Sequence, residues 1–376
     1  MQFEPSSEVQ ETLASLDRYL ERNWSLLSTG DQPGVRQKWR DIADMGVLGM
    51  CLPQTYGGFG LDADSFVHVS ITLGRKHCHL PYISTAVCCA TALCTGATEE
   101  QKQRWLPPLI EGKHCWALAY QEANDAQEIG TCQTCATFEG GKWVLNGTKT
   151  LVMDGIHADY FLVAARISVD GDAEMQLGKQ PSLFVVSKES AGLSTKNYRT
   201  IDNRCATTLG LNNVLVEKSN MLGQPGGADN SLDSALSAGC TALSGETVGL
   251  MEHLLGLTTE YLKTRKQFGQ ALGKFQVMQH AAADMYVALE QMKSLSLYAA
   301  LLQNTNQADQ AASAAKIYAG TSGRAFAKKA IQLHGGMGLV NEMPAAHYAK
   351  RLAMMDCWLG DSSYHLNRHQ SFGGAA

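Results

Sequence analysis

The chain has 376 residues, 45% of them apolar and 18% charged, with a formal net charge of −5. That length supports two or three packed units around a large core. The mild acidity gives no electrostatic basis for gripping nucleic acid, and no apolar run approaches the roughly 20 residues of a membrane helix, so neither nucleic-acid binding nor membrane insertion is expected.

The N-terminus, Met1-Gln-Phe-Glu-Pro-Ser-Ser-Glu8, lacks the basic and apolar regions of a signal peptide, which points to the cytoplasm. Residues 9–27 and 35–45 repeat apolar positions at three and four, as amphipathic helices do. Gly57-Gly58 and Gly60 mark a turn. Thr98-Glu-Glu-Gln101 is a capping box that opens a helix running to Ile110. From Trp116 to about Val216 the period changes to two and β-branched residues accumulate. Gly140-Gly141 joins two short strands as a hairpin, and residues 159–164 and 182–186 follow as strands. Gly223-Gln-Pro-Gly-Gly-Ala-Asp-Asn230 reads as a linker. Beyond it the chain is helical almost to its end. Met278, Ala281, Met285, Leu289, Met292, Leu295, Ala299 and Leu302 recur as a bundle seam, a row of core residues rather than a cofactor box. The expected fold class is α+β: a helical domain at 1–115, a β-domain at 116–225 and a helical bundle at 226–376.

Eleven cysteines raise the question of metal. The single C-x-x-C, Cys132-Gln-Thr-Cys135, has no second pair to complete a zinc site, so no metal is expected. The thiols read as reduced, small apolar residues.

Two segments of the last third carry the most specific wording. The first is Tyr261-Leu-Lys-Thr-Arg-Lys-Gln-Phe-Gly269, continuing to Phe275-Gln276. The second is Gln332-Leu-His-Gly-Gly-Met-Gly338, followed by Asn341-Glu-Met-Pro344. Together with Pro53-Gln-Thr-Tyr-Gly-Gly-Phe-Gly60 and Ala97-Thr-Glu-Glu-Gln-Lys-Gln-Arg-Trp-Leu-Pro107, they resemble the acyl-CoA dehydrogenase family over nearly the whole chain.

The resemblance implies that family's helix–β–helix architecture and its reaction, α,β-desaturation of an acyl-CoA thioester. A carboxylate takes the α-proton, and FAD supplies the redox chemistry. It also implies a shared cofactor site, in which the C-terminal domain of one subunit holds the pyrophosphate and adenine end of a neighbour's FAD. That task maps onto Arg265, Gln267, Phe268, Gln276, Gln332, Gly335 and Gly336. A planar guanidinium suits pyrophosphate oxygens, and adjacent glycines admit phosphates close to the backbone.

The other half of the resemblance fails. The family's flavin-facing Trp-x-Thr-Asn-Gly strand is here Leu151-Val-Met-Asp-Gly155, so Leu151 and Met153 replace the stacking tryptophan and the hydrogen-bonding threonine. The family's Thr-Glu-Pro-x-x-Gly-Ser-Asp turn is here Gln121-Glu-Ala-Asn-Asp-Ala-Gln-Glu128. The catalytic glutamate falls on Leu359, and its alternative position on Gly239. No catalytic base is therefore assigned. Glu246 is a weak candidate for a relocated one, and Asp356 and Asp361 flank the lost site. His253, His280, His334 and His365 read as packed or solvated side chains.

One arrangement accounts for both halves. The chain lends its adenine-end grip to a second acyl-CoA dehydrogenase-like subunit that carries the base, in an α2β2 heteromer. The tail from His347 to Asp361 is similar to the small subunits of bacterial two-subunit members acting on bulky acyl groups such as steroid side chains. An electron-transfer flavoprotein would be the acceptor. The alternatives are a homo-oligomeric flavoenzyme with Glu246 as base, and a non-catalytic scaffold.

Overall fold

The computed structural model describes residues 5–26, 34–123, 132–168 and 181–373. The Ser6 hydroxyl accepts from the Val9 amide and opens α1 (Ser7–Asn23), two residues before the expected start. The helix stops at Asn23, short of the apolar period. Trp24 turns extended there, and its indole donates to the His77 carbonyl at 3.2 Å. Next come α2 (Val35–Asp44) and α3 (Asp64–Arg75). A π-helical stretch, Tyr82–Cys89, runs directly into α4 (Ala90–Gly96). The capping box forms as expected at α5 (Glu99–Ile110), where Thr98 Oγ1 accepts from Gln101 N and Gln101 Oε1 accepts from Thr98 N.

The alternating region folds into β1 (Trp116–Ala119), β2 (Cys135–Glu139), β3 (Lys142–Met153), β4 (Tyr160–Ser168), β5 (Ser182–Ser187), β6 (Leu193–Arg199) and β7 (Cys205–Glu217). Gly140 and Gly141, with φ of +57° and +84°, turn β2 into β3 with Glu139 opposite Lys142. The sheet runs β1-β4-β2-β3-β7-β6, with β5 also paired to β4. Its inner face carries Trp143, Phe161, Phe184, Leu209 and Val214. Antiparallel pairing of β3 with β7 is interrupted between Lys149 and Val152 by a bulge, and Leu151 sits there with φ +49°.

The remainder is α6 (Asp229–Thr264), a short hairpin of β8 (Lys266–Gln267) and β9 (Gln270–Ala271), α7 (Gln276–Leu302), α8 (Ala308–His334), α9 (Pro344–Met354) and α10 (Ser362–Gly373). Two compact units result: one from Met1–Ser28, Asp62–His79 and Cys240–Ala376, the other from Thr29–Leu61 and Leu80–Gly239. The boundaries of the three sequence segments therefore differ from those of the two units, because α1 and α3 cluster with the C-terminal helices.

In the helical unit, α3 and α6 meet backbone to backbone. A Cβ on Gly249 would lie 2.0 Å from the Ile71 carbonyl oxygen, and one on Gly74 2.3 Å from that of Glu246. Only glycine fits either crossing. The α7 seam is buried at Met285, Leu289, Met292 and Ala299, and half-buried at Met278, Ala281, Leu295 and Leu302. On other faces of the same helix Val277, Tyr286, Val287, Tyr298 and Leu301 are exposed. No helix among the described residues is long and apolar enough to cross a membrane.

Candidate cofactor half-site

The end of α6 and the end of α8 are tied together by one ring contact. Tyr261 stacks on His334 with centroids 4.7 Å apart and planes at 29°. His334 is held in turn by a 2.9 Å hydrogen bond between Nδ1 and the Ala330 carbonyl. The stack joins the two segments that the sequence singles out.

Past Tyr261 the chain leaves the helix into the β8–β9 hairpin. Arg265 N donates to Tyr261 O at 2.8 Å, and Leu272 N closes the hairpin on Arg265 O at 2.9 Å. Phe268 and Gly269 form the tip with φ of +53° and +81°. Phe268 is 89% exposed, touching Phe275 edge-on at 6.2 Å. A phenylalanine in the left-handed region, presented to solvent, gains nothing from this chain's own core. Among the described residues the Gln267 side chain bonds its neighbour alone, through Nε2 to Lys266 O at 2.9 Å. Arg265 is exposed, and its guanidinium has no hydrogen bond or ion pair among the described residues.

On the second segment, α8 ends at Gly335 with φ +60° and ψ −144°, a conformation reserved for glycine. Gln332, Gly335 and Gly336 are exposed, and a Cβ added to either glycine would meet nothing within 4 Å. Gln276, the first residue of α7, is exposed too. The seven residues thus lie at the hairpin that follows α6, at the first residue of α7 and at the end of α8, all in one unit and exposed on it. A free guanidinium, amide side chains and an open glycine backbone fit a phosphate-bearing group.

The expected base positions lack a free carboxylate. Leu359 is 3% exposed, with φ +61°. Its turn is fastened from below: the Lys316 ammonium donates to Gly360 O, and His365 Nε2 lies 2.8 Å from Leu359 O. Burial draws Lys316 below its ordinary range. Burial, reinforced by the Lys316 charge, brings His365 down to about 3. Gly239 is buried within α6. Glu246, 4% exposed, is clamped by Arg351 through Nε at 2.8 Å and Nη2 at 2.9 Å. Asp356 pairs with Arg324 at 2.9 Å and accepts from Ser362 N, while Asp361 caps α10 through Tyr364 N at 2.8 Å. His253 stacks on Tyr348 at 4.5 Å, and His280 is exposed.

In the sheet unit, Met153 is 2% exposed and points into packed surroundings, and Asp154 accepts from the Ser84 hydroxyl at 2.6 Å. Of the turn at 121–128, residues 124–128 lie outside the described part. Glu122 nevertheless forms a buried ion pair with Lys149 at 2.6 Å. Burial alone would raise its carboxyl, but Lys149 and Thr134 together bring it down to about 2. Sequence reasoning missed this pair. A lysine at an alternating strand position reads as solvent-facing, and the glutamate that neutralises it is 27 residues away.

The sequence matches the acyl-CoA dehydrogenase N-terminal domain over residues 8–113, its middle domain over 117–214 and its C-terminal domain over 230–371. It is 30% identical over 331 residues to mitochondrial isovaleryl-CoA dehydrogenase of Solanum tuberosum, covering 86% of this chain and 79% of that one. Among solved structures, a steroid acyl-CoA dehydrogenase described as Tcur3481-Tcur3483 superposes with a TM-score of 0.85 at 27% identity, over 98% of this chain and 99% of that one. The ChsE4-ChsE5 complex of Mycobacterium tuberculosis superposes with a TM-score of 0.88 over 100% of both chains; at 23% identity that likeness speaks for the fold alone. The chain belongs to the acyl-CoA dehydrogenase family, oxidoreductases of acyl-CoA whose members are FAD-dependent flavoproteins.

Proposed function

We propose that this chain is the base-less subunit of a heteromeric FAD-dependent acyl-CoA dehydrogenase. In this reading its domains divide at 1–115, 116–225 and 226–376. It gives Arg265, Gln267, Phe268, Gln276, Gln332, Gly335 and Gly336 to the pyrophosphate and adenine end of FAD in a second, base-carrying subunit. The observation that carries the reading is a contrast within one unit. The anion-grip residues are exposed and uncovered, whereas the base position is a buried leucine and Glu246 is locked on Arg351.

When bound, FAD supplies the redox chemistry, accepting the electrons of α,β-desaturation. This chain's part is to bind and orient. Arg265 presents a planar fork to phosphate oxygens, the Gly335-Gly336 backbone allows their close approach, and Phe268 offers an aromatic face at the hairpin tip. This chain supplies no base for the α-proton, since the carboxylates nearest the base position are held on arginines, Glu246 by Arg351 and Asp356 by Arg324. The acyl group is a bulky one of the steroid side-chain type. The similarity to the steroid acyl-CoA dehydrogenase supports that choice. The complex works in the cytoplasm and passes electrons to an electron-transfer flavoprotein.

The test is co-expression with a second acyl-CoA dehydrogenase-like subunit that has the acid and the Trp-x-Thr strand, followed by flavin quantification. The expected outcome is about one FAD per pair of subunits and weak or no FAD on this chain alone. A homo-oligomer of this chain holding a full complement of FAD and oxidising acyl-CoA would overturn the proposal.

A further inference from the structure

We propose that Cys132 and Lys149 are the two ends of a redox-controlled cross-link, an N–O–S bridge formed between the thiol and the amine inside the sheet unit. The arrangement that points to it is unusual for a buried lysine. Lys149 is fully buried and Cys132 is 6% exposed, and Nζ lies 3.3 Å from Sγ. The other contacts of Nζ are Glu122 Oε1 at 2.6 Å and the Tyr120 carbonyl at 3.2 Å. Glu122 Oε1 lies 3.4 Å from the same sulfur.

The carboxylate is itself fixed. Oε1 accepts from the Thr134 hydroxyl at 2.6 Å and the Thr134 amide at 3.0 Å, and Oε2 accepts from Gln133 N at 2.8 Å. Sulfur, nitrogen and a proton acceptor are therefore mutually in contact, and none is free to swing away. An ion pair needs only the glutamate and the lysine. The sulfur adds nothing to neutralising the charge, but it adds an oxidisable centre beside an amine.

The oxidant is dioxygen. The Lys149 ammonium gives one proton to the Glu122 carboxylate. One oxygen atom of O2 becomes bonded to both Sγ and Nζ, and the O–O bond breaks. The thiol hydrogen and one amine hydrogen leave with the other oxygen as water. Sulfur and nitrogen each lose two electrons, and the four electrons reduce O2. The products are Lys149–NH–O–S–Cys132, neutral Glu122 and one water. No unpaired charge is left in the interior, because the ammonium and the carboxylate are neutralised together. Two dithiol molecules return the four electrons and restore amine and thiol. Oxygen insertion also suits the starting geometry, because a direct N–S bond would draw the two atoms much closer together.

The bridge would fasten the 132–135 segment to β3 just before its bulge at Leu151, so it is a switch on the position of that strand. Intact-mass spectrometry on the full chain tests it, comparing protein kept anaerobic with a dithiol against protein held under oxygen. The expected result is a gain of about 14 Da under oxygen, reversed by dithiol and absent in Cys132→Ser. In the wild-type peptide map, the Cys132 peptide should be joined to the Lys149 peptide, with tryptic cleavage lost after Lys149; this readout does not depend on the variant folding. A gain of about 16 or 32 Da on Cys132 would mean ordinary thiol oxidation, and a loss of about 2 Da a direct N–S bond. Either outcome overturns the proposal, as does a Cys132 that stays fully alkylatable after oxygen exposure and denaturation.

Discussion

Arg265 and Glu246 are charged side chains of the same unit in opposite circumstances. Arg265 is exposed and unpaired among the described residues, so replacing it leaves nothing stranded inside. Arg265→Ala is expected to lower FAD affinity of the two-subunit complex about 10- to 150-fold, the value of a charged hydrogen bond of roughly 1.5–3 kcal/mol, with the melting temperature unchanged. Lysine should rescue only in part, lacking the planar fork. Flavin titration of the complex measures both. Glu246 behaves the other way. Glu246→Gln leaves Arg351, 1% exposed, without its counter-charge, at a cost of about 3–5 kcal/mol in urea unfolding. Turnover of the assembled complex should change less than about tenfold, whereas loss of a general base costs roughly 10²–10⁴. A dead but fully folded Glu246→Gln complex would return the base to this chain.

At the scale of elements, α10 is seated on α8 by a buried histidine. His365 lies 3.2 Å from the Ser313 hydroxyl and 2.8 Å from Leu359 O. The folded chain keeps its imidazole neutral down to about 3, while the unfolded chain takes up a proton below the ordinary 6.5. Between those values the unfolded state binds more protons, so stability falls as pH drops from 6.5 toward 3. In His365→Gln the share due to this group disappears. Its stability curve should be flatter than wild type just below pH 6.5, read by denaturant unfolding across a pH series. A variant curve as steep as wild type would remove His365 from the account. The capping box at Thr98 and the Gly140-Gly141 hairpin were legible from sequence because each is a local bargain among four adjacent residues. The end of α1 was not, because Trp24 leaves the helix to reach a carbonyl 53 positions away. Nor was the π-helical stretch at Tyr82–Cys89, whose residues carry no periodic sign of it.

At the scale of the whole molecule, a protein that shares its cofactor should gain stability only when the other half of the site arrives. Free FAD at micromolar concentration is expected to leave the melting temperature of this chain unchanged. FAD together with the base-carrying subunit should raise it, and the rise should grow with the partner's concentration by mass action. Scanning fluorimetry with each addition separately distinguishes the two. A clear shift with FAD alone would mean that this chain completes a flavin site by itself.

The sequence by itself determined the order helices, strands, helices, the wording of the two C-terminal segments, and the leucine and glycine at the two positions where the family resemblance leads one to expect a base. These are matters of residue identity and of periodicity over a few turns, and neighbours along the chain suffice to set them. Tertiary structure decided which charges are free and which are spent. It joined the two segments through Tyr261 and His334, locked Glu246 on Arg351, turned Arg265 outward, and brought Glu122, Cys132 and Lys149 into contact within the sheet unit. The physical reason is that burial and pairing depend on what packs from distant parts of the chain. A carboxylate reads the same in sequence whether it faces water, an arginine or a substrate.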